Sequence, residues 1–308
     1  MIIKAVLGLV LVSIIVISFP QKDINIATAS ELPKELAKSV ENSTKFRIIP
    51  NITYLKADNY EIKLDIYQHQ SETPRPTLIY FHAGGLLKGE KETALTSFLP
   101  YLEGIGFSVV NVEYRLAGVS LAPAAVEDGL CALRWVVDNA EQYNFDPQKI
   151  VTTGHSAGGY LALTTGVIPQ SVGLDARCPG FTEIKVAAII NWFGPSDLTD
   201  LLDGVNQRSY AKAWLGSQLN RQEIAKLVSP INYVRADIPP ILTIHGTEDP
   251  AVPYQQSLKL HQSLDSMGIP NQLFTIVDGN HGKFTLSEKI AIYKTIYNFL
   301  REHQIIQN

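Results

Sequence analysis

Several things are scarce in this sequence, and each scarcity removes a class of protein. Only two cysteines occur in 308 residues, Cys131 and Cys178, so neither a disulfide-dense scaffold nor a cysteine-based metal cluster can organise the fold. The histidines at 69, 82, 155, 245, 261, 281 and 303 are scattered without metal-ligand spacing, and no metal site is expected. Lys and Arg form no run and the formal net charge is −4, which leaves no electrostatic footprint for nucleic acid or for an anionic lipid surface. Internal repeats and low-complexity tracts are absent. Apolar runs are short as well: the longest, Ala5 to Phe19, has about fifteen residues, fewer than the roughly twenty of a spanning helix.

That run has a further meaning. Lys4 precedes it and Ala27-Thr28-Ala29 follows as a small-residue cleavage site, the layout of a secretory signal peptide. Residues 1–29 are therefore expected to be removed, giving a secreted or periplasmic protein with no membrane association after cleavage; an uncleaved anchor is the alternative. No cysteine near the site offers a lipid attachment point. Two cysteines in an exported chain permit one disulfide, Cys131 to Cys178, against the alternative of two buried thiols.

With 45% hydrophobic and 18% charged residues, the remaining 30–308 can bury one large core and fit a single α/β domain. Ile52 to Leu55 and Tyr60 to Tyr67 alternate as a hairpin turning at Asp58-Asn59. Asn42 and Asn51 stand in N-x-S/T sequons. From Thr77 onward short apolar strands alternate with helical stretches: Thr77 to Phe81, a helix near Ala94 to Gly104, Phe107 to Val112, a helix from Pro123 to Ala140, then Ile150 to Thr153. Such alternation predicts a mostly parallel sheet with right-handed crossovers. The Pro123 helix shows an apolar stripe of Val126, Leu130, Leu133 and Val137. Val186 to Phe193, Ile241 to His245 and Gln272 to Val277 read as further strands. Thr285 to Arg301 reads as a closing helix, with Thr285 and Glu288 spaced as a capping box. Between 194 and 239 lies a cap insertion with two short helical stretches, the second preceded by Asn220 as N-cap and closed by Pro230.

The chemistry centres on Gly154-His155-Ser156-Ala157-Gly158. In a G-x-S-x-G elbow the serine stands on a strained strand-to-helix turn, and the following helix aims backbone N–H groups at any negative charge formed nearby. Ser156 is the candidate nucleophile and the Ala157 amide a candidate oxyanion donor; an ordinary glycine-rich turn is the bland alternative. A serine nucleophile needs a base and an orienting carboxylate. His281 follows the last predicted strand and Asp249 follows the strand Ile241 to His245, giving the chain order Ser156, Asp249, His281. Glu248, Asp197 and Asp278 compete for the acid role, with Asp249 favoured. His82-Ala83-Gly84-Gly85 follows the strand Thr77 to Phe81; Gly84 and Gly85 are candidate oxyanion donors and His82 a structural residue of that loop. Leu86, Trp192 and Phe193 lie near the elbow or oxyanion loop and are candidate pocket residues. Arg115 and Asp128 read as a structural ion pair near the sheet's edge.

These motifs, together with Glu113-Tyr114-Arg115-Leu116 and Pro123 to Asp128, make the chain resemble the α/β-hydrolase carboxylesterases. Within that fold it is similar to the hormone-sensitive-lipase-like and feruloyl-esterase-like polysaccharide esterase groups. It departs from them at Ala83, where the family has glycine; at Leu86, where a bulky residue is usual; and at His155, where the lipase-like elbow has an acid. The resemblance implies a serine carboxylesterase acting on short or aromatic acyl esters, including acyl groups on carbohydrate, with no cofactor and a small-molecule partner. The alternatives are a peptidase or amidase of the same fold, and a non-catalytic hydrolase-like binding protein.

Overall fold

The computed structural model describes residues 45–178, 180 and 184–307; the expected signal segment 1–29, the stretch 30–44 and the sequon at Asn42 lie outside them. The chain enters through a hairpin of β1 (Phe46–Ala57) and β2 (Tyr60–His69). Asp58 and Asn59 turn it with φ of 52° and 60°, left-handed values that Asp and Asn tolerate better than other residues with side chains. β2 pairs antiparallel with β4 (Ser108–Val112), and everything beyond is parallel. The eight strands run in the order β1-β2-β4-β3-β5-β6-β7-β8, where β3 is Arg75–Phe81, β5 Phe145–His155, β6 Ala188–Trp192, β7 Ile241–Gly246 and β8 Asn271–Ile276. This is the α/β architecture expected, with β5 starting earlier than Ile150 because Phe145 pairs with Arg75 across a register shift.

Alternation along the buried strands divides the interior in two. Ile79 and Phe81 of β3 face one way, into a core shared with α2 (Ala124–Asp138) and α3 (Ala157–Val167). Leu78 and Tyr80 face the other, packing with α1 (Leu95–Leu99) and α7 (Leu286–Glu302). Both faces are apolar, as a sheet covered by helices on each side requires. The capping box that opens α7 is present: Thr285 Oγ1 accepts from the Glu288 amide and Glu288 accepts from the Thr285 amide at 2.6 Å, worth about 1 kcal/mol.

Some readings need correction. The stripe on α2 is too narrow: Ala125, Gly129, Ala132 and Val136 are buried as well, while Val137 is only half-buried. The reason is that α2 lies between the elbow helix and the hairpin, so that Cys131 is buried beneath Leu55, Ala57 and Ile62. Cys131 and Cys178 are joined in a disulfide, Cα atoms 5.4 Å apart. A helix absent from the sequence reading, α6 (Gln255–Ser266), connects β7 to β8. The segment 194–239 carries α4 (Ser209–Leu215) and α5 (Arg221–Leu227). Asn220 precedes α5, but its side chain makes no capping hydrogen bond. No helix of the described residues is long and apolar enough to cross a membrane.

Candidate active site

The parallel strands β3, β5, β7 and β8 deliver four loops to one edge of the sheet. At the end of β5, Ser156 adopts φ 56° and ψ −116°, a conformation that costs a residue with a Cβ about 1–3 kcal/mol. The turn survives because its neighbours lock it. The Ser156 amide donates to the Trp192 carbonyl at 2.9 Å, and the Ser156 carbonyl accepts from Tyr160 at 2.9 Å to open α3. Glycine at 158 is obligatory, since a Cβ there would lie 2.0 Å from the carbonyl oxygen of Phe81. The β3 strand thereby ends directly against the elbow, bringing the loop after β3 to the nucleophile.

That loop is tightly wound. Gly84 has φ 140°, and a Cβ on it would meet the Lys88 carbonyl at 1.7 Å, so only glycine fits. Leu87 and Lys88 both donate to the Gly84 carbonyl at 3.2 Å. His82 is buried beneath the loop, stacked on Tyr114 with centroids 4.2 Å apart and paired through Nδ1 with the Ala83 carbonyl at 2.8 Å; it serves the loop's conformation. No acceptor among the described residues engages the amides of Gly84, Gly85 or Ala157. Three N–H groups at a sheet edge, one of them opening α3, form a ready pocket for an oxyanion.

Past β7 and β8 the acid and base loops are stitched together: Thr247 N–H donates to the Ile276 carbonyl at 3.0 Å and Glu248 N–H to the Gly279 carbonyl at 2.9 Å. This brings Asp249 to His281. Asp249 Oδ2 lies 2.6 Å from His281 Nδ1, with the carboxylate shielded from solvent and the imidazole 24% exposed. Oδ1 accepts from the amides of Ala251 and Val252 at 2.8 and 2.9 Å. Burial pushes this carboxyl upward, but hydrogen bonds from His245, His281 and Val252 more than reverse it, holding Asp249 well below the usual carboxylate range. His281 Nε2 and Ser156 Oγ have no hydrogen-bond partner among the described residues. Phe193, which follows the carbonyl that anchors Ser156, sets its ring edge-on to His281 at 4.6 Å.

The competing acids sit elsewhere. Asp197 accepts from the Thr199 and Asp200 amides and closes its own turn. Glu248 is exposed. Asp278 is exposed too, with φ 57° and its amide on Thr247 Oγ1.

Two of the pocket candidates move to the core. Leu86 is 2% exposed and Trp192 3%, which leaves them almost no surface to present to a ligand. Trp192 ends β6 on the α7 side of the sheet and donates Nε1–H to Tyr101 at 3.0 Å, so strand alternation takes it away from the cleft. Phe193 is buried also, but against His281. The residue at the departure from the lipase-like elbow, His155, holds Nδ1 2.9 Å from the Tyr80 hydroxyl and lies 4.6 Å from the Trp192 ring. Burial pushes it down to about 3, so it is neutral beside the nucleophile. Sequence reasoning missed two contributors, His245 and Tyr210. The second, on α4, lies against Gly85 and reaches the Ala251 carbonyl with its hydroxyl at 3.4 Å, so that it touches both the oxyanion loop and the acid loop.

A family model described as BD-FAE matches residues 64–264, well over half of the chain. The chain belongs to the BD-FAE family. Among curated proteins, it is similar to esterase LipQ of Mycobacterium tuberculosis, 27% identical over 74% of this chain and 55% of that protein. It is similar also to an acetyl esterase of Salmonella paratyphi B, 28% identical over 63% of this chain and 61% of that one. The chain spans about half the length of the first of these relatives. Among solved structures, a truncated carbohydrate esterase from gut microbiota superposes with a TM-score of 0.70 at 28% identity, covering 85% of this chain and 98% of the other. Thermogutta terrifontis esterase 2, solved with propionate bound, gives 0.70 at 26% identity, covering 86% and 97%. This BD-FAE chain thus has the α/β-hydrolase fold of its family.

Proposed function

We propose that the protein is an exported serine carboxylesterase for short acyl esters, acyl groups on carbohydrate among them. The observation that carries this reading is the 2.6 Å contact of His281 with the ionised, solvent-shielded Asp249, on the same sheet edge as a strained serine and three unengaged amides. In this reading Ser156 Oγ attacks the ester carbonyl while His281 Nε2 takes its proton, through a hydrogen bond that forms when substrate binds. Asp249 accepts the His281 Nδ1–H and so keeps Nε2 free as the base. The carbonyl oxygen gains negative charge among the Gly84, Gly85 and Ala157 amides, each such donor being worth about 3 kcal/mol. His281 then gives its proton to the leaving alcohol, and a water repeats the sequence on the acyl-enzyme. No cofactor enters any step.

The substrate class rests on two supports. The insertion 194–239 brings only short helices to the cleft, with Tyr210 against Gly85, and so offers little apolar length for a long acyl chain. Of the relatives named above, one is by name an acetyl esterase and one a carbohydrate esterase. Export rests on the sequence of residues 1–29. Turnover of nitrophenyl esters from acetate to palmitate, beside acetylated and feruloylated sugars, tests the reading: kcat/KM should be highest for the short acyl groups. Preference for palmitate, or turnover of amides without turnover of esters, would contradict it.

A further inference from the structure

Asp249 has a second histidine. His245, the penultimate residue of β7, is fully buried. Its Nδ1 lies 2.6 Å from Ser257 Oγ on α6, and its Nε2 lies 3.1 Å from the Val252 carbonyl and 3.3 Å from Asp249 Oδ2. A carbonyl and a carboxylate oxygen can only accept, so Nε2 carries the proton and Nδ1 accepts from the Ser257 hydroxyl. The tautomer is therefore set by those two acceptors, Ser257 on α6 anchors the other ring nitrogen, and the ring turns one N–H to the acid loop.

We propose that His245 is a positioning residue that, with Nδ1 anchored on Ser257 and Nε2–H turned to the Val252 carbonyl and Asp249, fixes the Asp249 carboxylate in the orientation that His281 requires. The inference rests on the triad reading given above. Without His245, Asp249 keeps the Ala251 and Val252 amides on Oδ1, but its other oxygen has His281 alone. The Val252 carbonyl, whose amide holds Oδ1, loses its tie as well. Oδ2 can then swing about the Oδ1 anchor and take the imidazole with it. Tyr254, whose ring stands edge-on to His245 at 5.5 Å, walls the same site. A residue that acts through Asp249 must lower kcat while sparing KM, because no substrate atom touches it.

The test is a double-mutant cycle on the full-length enzyme, assayed with nitrophenyl acetate. His245→Leu should lower kcat by about ten- to a hundredfold, the scale of lost orienting partners, with KM within about threefold. His245→Gln, which restores an N–H near the position of Nε2, should recover most of that loss. Ser257→Ala, which leaves the imidazole in place and removes only the hydroxyl that anchors its Nδ1, should lower kcat several-fold. It carries the same reading if thermal melts show that His245→Leu does not fold. In an Asp249→Asn background each of these losses should shrink to within about twofold, because coupled partners are not additive. Undiminished losses in that background, or wild-type kcat in both His245→Leu and Ser257→Ala, would overturn the positioning role and leave the triad standing. Full turnover by Asp249→Asn alone would overturn the triad reading and this inference with it.

Discussion

Two buried polar clusters occupy equivalent places in this fold and differ in one respect. Arg115 stands three residues beyond the end of β4, and Asp249 three beyond the end of β7. Arg115 is 1% exposed and is saturated: Asp128 takes Nε, Nη2 and the backbone amide, Asp58 takes Nη1, and Glu127 and the Ala124 carbonyl share Nη2. Every guanidinium nitrogen has an acceptor, and the cluster ties the hairpin turn at Asp58 to α2. The Asp249 cluster is equally well connected at its inner end, through Ala251, Val252 and His245, but opens outward at His281 Nε2, Ser156 Oγ and the three amides. Buried charge is common to both; what would make the second reactive, in the reading proposed above, is the set of polar groups it leaves unengaged at the cleft.

The largest effect expected from breaking this contrast is on the open ends. Ser156→Ala and His281→Ala should each lower kcat by roughly four to six orders of magnitude, and the double variant should lose no more than either alone, since such residues act as a unit. Steady-state kinetics on folded protein checks both, and additive losses would contradict the shared role. Asp249→Asn should cost about 10²- to 10⁴-fold, whereas Asp197→Asn and Glu248→Gln should stay within a few fold. The reverse result would reassign the acid.

The saturated cluster should answer in stability. Arg115→Ala leaves Asp128 buried and uncompensated, at about 3–5 kcal/mol, while kcat of the protein that remains folded is unchanged; urea unfolding and active-site titration separate the two. Replacing Arg115 and Asp128 together by Met and Leu should be milder than either single change. Opening the Cys131–Cys178 bridge, which spans 47 positions, should cost about 3–4 kcal/mol through the freer unfolded chain, read as a lower urea midpoint for the double serine variant.

The smallest expected effect is at His155. Its imidazole is held down to about 3 in the fold against about 6.5 in an unfolded chain. Between those values the unfolded chain binds the proton that the folded one refuses, so stability falls as pH drops from about 6.5 toward 3. His155→Gln should flatten that part of a plot of melting temperature against pH; an unchanged slope would show that another group carries it.

The elbow turn, the pairing of Asp249 with His281 and the parallel sheet were legible because each rests on a sequence signal: two glycines around a serine, loops at the ends of apolar strands, and short apolar strands alternating with helical stretches. Helix α6 was not legible, because its buried face is made of Gln256, Ser257, Leu260, His261 and Leu264, which does not read as an apolar stripe. The same polar face hid His245, whose partner Ser257 comes from it. Trp192 and Leu86 were misplaced for a different reason: a place at a strand end or in the oxyanion loop does not tell whether the side chain turns to the cleft or, as both do, into the core. The burial of α2 on more than one face follows from the hairpin folding over it, a long-range contact with no trace in the helix's own spacing.

The central claim, that reactivity resides in the unengaged groups at Ser156, is tested most directly by covalent labelling with an acetyl-ester-like phosphonate followed by peptide mass spectrometry. One adduct per chain is expected, on the peptide that contains Ser156, with esterase turnover lost in proportion to labelling and no adduct on His281→Ala in the same time. Complete labelling with turnover retained, or an adduct on any other residue accompanied by the loss of turnover, would contradict it.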